Sequence, residues 1–395
     1  MAERCPYPFP RPTALGIPER LAGIHDEPLV PVVLPSGDEA VLLTRYQDVR
    51  QVLTDERLSR NLDRPDAARI SRHNSMFQDP RINPDPPEHT RVRNLVASAF
   101  SAARVQRLEP RIHAVTDELL DAMERSGGPV DLNEALAFPL PVRVICSLLG
   151  VPDEDVALFR HWTKAFLSIS HFPREEIRAA MTEMSRYIAE HISHRRAHPG
   201  DDLVSAMIRA HDDEGRLSEY ELQWWCRLLL LVGYETTATQ LGGGIAMLLS
   251  HPEQLRLLRA DPALLPNAIE ELLRWKLVGS SVSMLRYATD DIELENCVIK
   301  KGTSIIPAAD CANQDPDRFF GPRTFDITRS DNPHLTFSLG PHFCIGASLA
   351  RAELRIATQA LLTRFPNLRL AVPAEELKRE EGALLEGFTE IPVTW

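Results

Sequence analysis

The sequence predicts a mainly α-helical fold with small β-sheets, carried by a single large domain spanning residues 1–395. Three observations lead there. From Glu88 to about Ser250 nearly every stretch places apolar residues at helical spacing. Strand-like segments are short and fall only in 29–43, 283–308 and the tail after Phe365. No internal repeat, low-complexity tract or flexible linker divides the chain, so one helix-rich layer system with minor sheets is the simplest packing.

Taken in order, the first thirty or so residues are proline-rich and predict irregular, packed chain. A hairpin follows: Leu29–Leu34, a turn at Pro35-Ser36-Gly37-Asp38, then Ala40–Leu43. Tyr46 to Leu53 predicts a helix, and residues 57–87 a long loop of the kind that usually serves function. The helical region is punctuated at Gly127-Gly128-Pro129, Pro139, Pro152, Pro173 and Pro199-Gly200. Ser218 to Ser250 predicts one unusually long helix. Two shorter ones follow, at Pro252–Arg259 and Pro262–Trp275. Residues 283–308 predict short strands with a turn at Lys301-Gly302, and the segment after Gly346 predicts another helix.

Composition bounds the function. With 44% hydrophobic and 25% charged residues the chain is an ordinary globular one. A net charge of −12 argues against a general nucleic-acid binder, which needs a basic footprint. The apolar run Leu228–Val232 is far shorter than the ~20 residues a membrane span requires. No apolar leader opens the chain. The six cysteines (Cys5, Cys146, Cys226, Cys297, Cys311, Cys344) are dispersed without zinc-type spacing, which predicts free thiols in a reducing compartment and a cytoplasmic protein.

Four segments carry chemistry. Phe337-Ser338-Leu339-Gly340-Pro341-His342-Phe343-Cys344-Ile345-Gly346 places a cysteine in a glycine-bracketed loop just ahead of a helix. Unpaired N–H groups and the positive end of the helix dipole favour a thiolate there. The two glycines permit close approach of a flat ligand. Such a thiolate serves as a nucleophile or as a metal ligand; the bland alternative is a small buried hydrophobe. Glu271 and Arg274 form an i,i+3 pair, alone a common surface feature. Glu235-Thr236 sits inside the long helix, where the threonine could simply bond back to the i−4 carbonyl. His89 and Arg93 lie one turn apart on the helix that follows Pro86-Pro87, a plain charged face unless something anionic meets it.

Together these segments resemble one family. Phe337, Gly340, His342, Cys344 and Gly346 fall on Phe-x-x-Gly-x-His-x-Cys-x-Gly, the haem-ligand loop of the cytochrome P450 family. Val232-Gly233-Tyr234-Glu235-Thr236 is similar to its oxygen-activating helix. Glu271-Leu272-Leu273-Arg274 is similar to its buried Glu-x-x-Arg pair, and all of these stand in the family's order. The resemblance implies the cytochrome P450 fold, a helical prism, with haem b as cofactor and Cys344 as its axial thiolate. It implies that His89, Arg93, Arg286 and His342 bind the haem propionates, and that Glu271 and Arg274 fasten the core behind the haem loop. Thr324 stands where a third, cationic member of that network is expected, with Arg323 or Arg329 as substitutes. Glu235 and Thr236 become the catalytic proton-delivery pair on a helix that bulges over haem, with Gly233 allowing close approach.

The implied reaction is a monooxygenation with O₂ on a mid-sized, mainly apolar small molecule of bacterial secondary metabolism, by hydroxylation or epoxidation. A peroxide-driven peroxygenase and an oxidative-coupling enzyme are the alternatives. No dinucleotide-binding glycine motif follows a strand, so electrons are expected from a ferredoxin and its ferredoxin reductase. Arg91, Arg104, Arg107 and Arg351 are the candidate docking cations. No nucleic acid or membrane partner is expected, and the protein is expected to be a monomer. By location, the substrate pocket is expected to take in the 72–82 loop, residues 165–182, Val232, Val278 to Val282 and Phe388.

Overall fold

Helix ends in this chain are written into the sequence, and the structure places them there. It is a computed structural model and describes residues 5–81, 84–213, 216–275 and 278–395. The main helices are Glu88–Ala97, Ala102–Ser126, Pro139–Leu149, Val156–Phe166, Arg174–Ala197 and Leu203–Asp212. They continue with Glu219–Gly233, Glu235–Leu249, Pro252–Ala260, Leu265–Arg274 and Ala347–Arg364. Ser218 and Glu221 form a reciprocal capping box at the start of Glu219–Gly233. Pro139 and Pro252 occupy first-turn positions, where the missing N–H costs nothing. Pro139 therefore opens a helix rather than merely breaking one.

The predicted hairpin is present as Leu29–Val33 against Glu39–Leu43, with Leu29 opposite Leu43 and Val33 opposite Glu39. It is the heart of a six-stranded sheet. In spatial order the strands are Cys5–Pro6, Leu29–Val33, Glu39–Leu43, Ser304–Pro307, Arg286–Ala288 and Leu58–Ser59. Val130–Asp131, Arg369–Leu370 and Pro392–Thr394 make a three-stranded sheet, and Ile292–Glu293 pairs with Val298–Ile299. A buried apolar cluster draws on residues from Tyr7 to Val393, with Glu235–Leu249 packed against Pro139–Leu149, Leu265–Arg274 and Ala347–Arg364.

One prediction is corrected. Ser218–Ser250 is two helices, broken at Tyr234 (φ −122°, ψ −40°). Tyr234 is fully buried; its hydroxyl donates to the Phe159 carbonyl at 3.1 Å and its ring packs edge-on against Phe138. These contacts fix the residue at which the two helices meet.

Candidate active site

The Cys344 loop is held by its backbone. Gly340 sits at φ +67°, and a Cβ there would lie 2.9 Å from the Leu53 carbonyl oxygen, so only glycine fits. The Cys344 N–H donates to the Phe337 carbonyl at 2.8 Å, and Gly346 caps the Ala347–Arg364 helix. A Cβ on Gly346 would meet nothing nearer than Cys344 Sγ at 4.0 Å, so this side of the loop is open. Cys344 is accessible, yet its surface faces an interior cavity of about 710 Å³. Burial pushes its thiol up, against the pull of the Gly346 N–H, Arg93 and Arg351. Desolvation by itself favours the thiol; a coordinated cation would remove the proton and leave the thiolate that the loop is shaped to offer.

Opposite Cys344 the cavity is walled by Leu228, Leu229, Val232, Trp225 and Phe166. Val232, 39% exposed, faces this space. Beside the cysteine lies a cationic corner. The His89 and His342 rings lie 4.1 Å apart, tilted by 42°, and buried His89 Nδ1 has no hydrogen-bond partner among the described residues. Burial, then Arg93 and Arg60, push His89 down to about 4. Burial, then Arg60, Arg286, His89 and Arg93, push His342 down to about 2. Arg286 is buried and donates to the Met284 and Leu285 carbonyls, while Arg93 donates to Phe343 O. Arg60, which the sequence reading passed over, is held down to about 10 by burial, with Asp85 nearby pulling the other way. No haem-loop signature marks Arg60; only the fold brings strand Leu58–Ser59 alongside Arg286–Ala288. Three arginines and two histidines converge with one carboxylate among them.

That imbalance fits haem. A group with two propionates answers the surplus positive charge and the orphaned His89 nitrogen, and its flat ring suits the open face at Gly346. A cavity of this size also lies in the range that cofactor and ligand sites occupy.

Comparison with known proteins agrees. The family model described as Cytochrome P450 matches residues 142–385. The chain belongs to the cytochrome P450 family. This P450 is 42% identical to nocardicin C N-oxygenase of Nocardia uniformis subsp. tsuyamanensis, over 98% of each chain. It is 41% identical to mycinamicin IV hydroxylase/epoxidase of Micromonospora griseorubida, over 100% of this chain and 99% of that one. The LnmA cytochrome P450 hydroxylase from the leinamycin biosynthetic pathway of Streptomyces atroolivaceus superposes with a TM-score of 0.90 at 42% identity, over 99% of this chain and 100% of that one. The protein is a cytochrome P450 monooxygenase, of a family that binds haem b through a cysteine thiolate.

Behind the haem loop, Glu271 and Arg274 are no surface pair. Both side chains are fully buried and bidentate, with contacts at 2.8 and 2.7 Å. Arg274 also donates to the carbonyls of Asn313 (2.9 Å) and Pro322 (2.7 Å). The third member is Arg329, whose Nε lies 3.2 Å from Glu271 Oε2; Arg323 is exposed, and Thr324 contributes only a carbonyl. His334 is paired in the core at 3.1 Å from Glu270, which Arg351 also grips.

The oxygen-side pair is arranged differently from expectation. Thr236 Oγ1 donates to the Val232 carbonyl at 3.3 Å, the i−4 back-bond open to a threonine inside a helix. Glu235 lines a separate cavity of about 30 Å³ with Lys164, His171, Phe172 and Glu380, room for a water or two. Burial pushes it up to about 7, and its Oε2 has no hydrogen-bond partner among the described residues. No hydrogen bond joins Glu235 to Thr236 among the described residues. Gly233 is also reassigned: a Cβ there would meet Ile145 Cγ1 at 3.0 Å, so it serves helix packing.

Of the pocket residues expected by location, Val232, Phe166 and the loop residues Phe77, Pro80 and Arg81 line the main cavity; residue 82 lies outside the described residues. Val278 is half-buried and off its wall. Val282 is buried in the core, and Phe388 is covered by the Arg379 guanidinium at 4.5 Å. The docking cations are mostly answered: Arg91 by Glu88 and Glu221, Arg104 by Asp201 and Arg351 by Glu270. Of the four, only exposed Arg107 makes no ion pair among the described residues. No helix among those residues is long and apolar enough to cross a membrane.

Proposed function

We propose that this P450 inserts one oxygen atom from O₂ into a mid-sized, mainly apolar organic molecule of bacterial secondary metabolism, with Cys344 as the haem thiolate. The supporting observation is an accessible thiol facing an apolar cavity beside three arginines with only one carboxylate, Asp85, among them. When bound, haem b supplies oxygen activation and transfer at its iron. Cys344 offers its sulfur from a loop fixed by Gly340 and the Phe337 carbonyl. His89, Arg93, Arg286 and His342, with Arg60, orient and neutralise the propionates. Leu228, Leu229 and Trp225 exclude bulk water. Glu235, titrating near neutrality, receives protons from the Lys164–Glu380 side and relays them through water to the Thr236 hydroxyl, with which it shares no direct hydrogen bond among the described residues. That hydroxyl leaves the Val232 carbonyl to do so.

Electrons come from a ferredoxin and its ferredoxin reductase, and the chain acts as one 1–395 unit, monomeric and cytoplasmic. The test is the carbon-monoxide spectrum of the reduced holoprotein. A thiolate-type Soret band, lost in Cys344→His, is expected; a histidine-type band in the unsubstituted protein would sink the reading. For the proton route, Thr236→Ala is expected to keep consuming oxygen while losing product and releasing hydrogen peroxide. Intact coupling would remove Thr236 from the route.

A further inference from the structure

A second chamber, of about 520 Å³, adjoins the main cavity and shares Arg81, Tyr220 and Trp224 with its wall. Its charge is unlike that of the chain. Four arginines, Arg81, Arg174, Arg178 and Arg227, line it against one carboxylate, Asp79, in a protein whose net charge is −12. Asp79 is already taken, since Arg81 grips both of its oxygens (2.7 and 2.5 Å). Arg174, Arg178 and Arg227 make no ion pair among the described residues.

Arg227 is the most constrained of the three. It stands on the Glu219–Gly233 helix, which also walls the main cavity. Its Nε donates to the Gln223 carbonyl at 3.3 Å and its Nη1 to Ser185 Oγ at 2.7 Å. The guanidinium lies 5.4 Å from the Trp224 ring centroid. These contacts fix the fork and leave Nη2 without a partner among the described residues. A half-buried guanidinium held by neutral groups only is poised for an anion. The surplus charge focuses on one end of an otherwise apolar space.

We propose that this chamber is a subsite for an anionic oxygen group, a carboxylate or a phosphate, at one end of a substrate whose apolar body lies in the main cavity. This deepens the monooxygenase reading and rests on it. Arg227 reads the anion at depth, and exposed Arg174 and Arg178 draw it in from solvent. The anion at one end limits how far the body can slide, so this subsite also sets which carbon is presented for oxidation.

The test uses the holoenzyme at low salt with three probes of equal chain length: dodecanoate, dodecyl phosphate and methyl dodecanoate. Affinities are read by isothermal titration calorimetry, which needs no change at the haem. At least one anion is expected to bind about tenfold more tightly than the ester, the size of one charge-assisted contact. A gain for dodecanoate alone marks a carboxylate substrate, and a gain for dodecyl phosphate alone a phosphorylated one; either supports the subsite. Arg227→Gln is expected to abolish the gain, Arg227→Lys to restore part of it, and the surface pair R174Q/R178Q to reduce it. Equal binding of all three probes would overturn the proposal. So would a preference that survives in R174Q/R178Q/R227Q with an unchanged carbon-monoxide spectrum. That spectrum reports the haem thiolate separately, so failure here is distinguishable from failure of the monooxygenase reading.

Discussion

Two clusters of buried charge, one around Glu271 and one around His342, are built on opposite rules. Around Glu271 every charge is answered: Arg274 and Arg329 by the carboxylate, its remaining oxygen capacity by Asn332 and the Asp326 N–H, and the spare Arg274 donors by carbonyls. Around His342 the charges share a sign and the acid is nearly missing. Internally balanced charge fastens a fold, whereas unbalanced charge of one sign is held ready for a ligand. The first cluster fixes the segment that leads into the haem loop; the second gives that loop something to hold.

The largest effect should come from unbalancing the satisfied cluster. Glu271→Ala strands two arginines, one of them fully buried, and is expected to destabilise the holoprotein by about 3–5 kcal/mol in urea unfolding. A loss below about 1 kcal/mol would mean that the two clusters do not differ in kind. Glu235 tests the same rule for an anion without a contacting cation, although Lys164, Arg160, Glu380 and Glu134 lie around it. Its folded pKa is raised from 4.5 to about 7, so the folded state binds the extra proton. The associated stability is complete below about pH 4.5, declines as pH rises to about 7, and is absent above. Glu235→Gln should therefore gain roughly 3 kcal/mol at pH 8 and nothing at pH 4.5, by unfolding at the two values. Glu353, pushed up to about 8 by burial alone, contributes with the same sign at slightly higher pH.

In the unsatisfied cluster, Arg93→Met should speed haem loss to apomyoglobin roughly tenfold or more while helical content by circular dichroism is retained. Coupled loss of both would move Arg93 into the structural class. The smallest effect belongs to the surface. Arg107→Glu is expected to slow reduction by a ferredoxin a few-fold at low salt, with substrate affinity unchanged. Equal rates would remove this face from docking.

Much of this was legible in the residues because local rules act locally. Ser218 with Glu221, Gly340 in its turn and Pro252 at a helix start each declare themselves within a few positions. The cysteine loop is legible for the same reason. Partnerships across the chain were not. The sequence offered Arg323 or Arg329 in place of the partner missing at Thr324, and only the fold selected Arg329, 58 residues beyond Glu271. Arg60 joins the cationic corner only because two distant strands pair. Glu235 and Thr236 are adjacent in sequence, yet the break at Tyr234 and the surrounding helices send them to different surroundings.

By itself the sequence determined the helical class, the haem-binding cysteine motif and the cast of charged residues, since these depend on spacing and residue type along the backbone. Only tertiary packing decided which charges are answered and which stand in surplus. It also gathered four arginines around a chamber that adjoins the apolar cavity. The reason is physical: desolvation and pairing depend on what lies within a few ångströms in space, and one dimension of chain does not specify that.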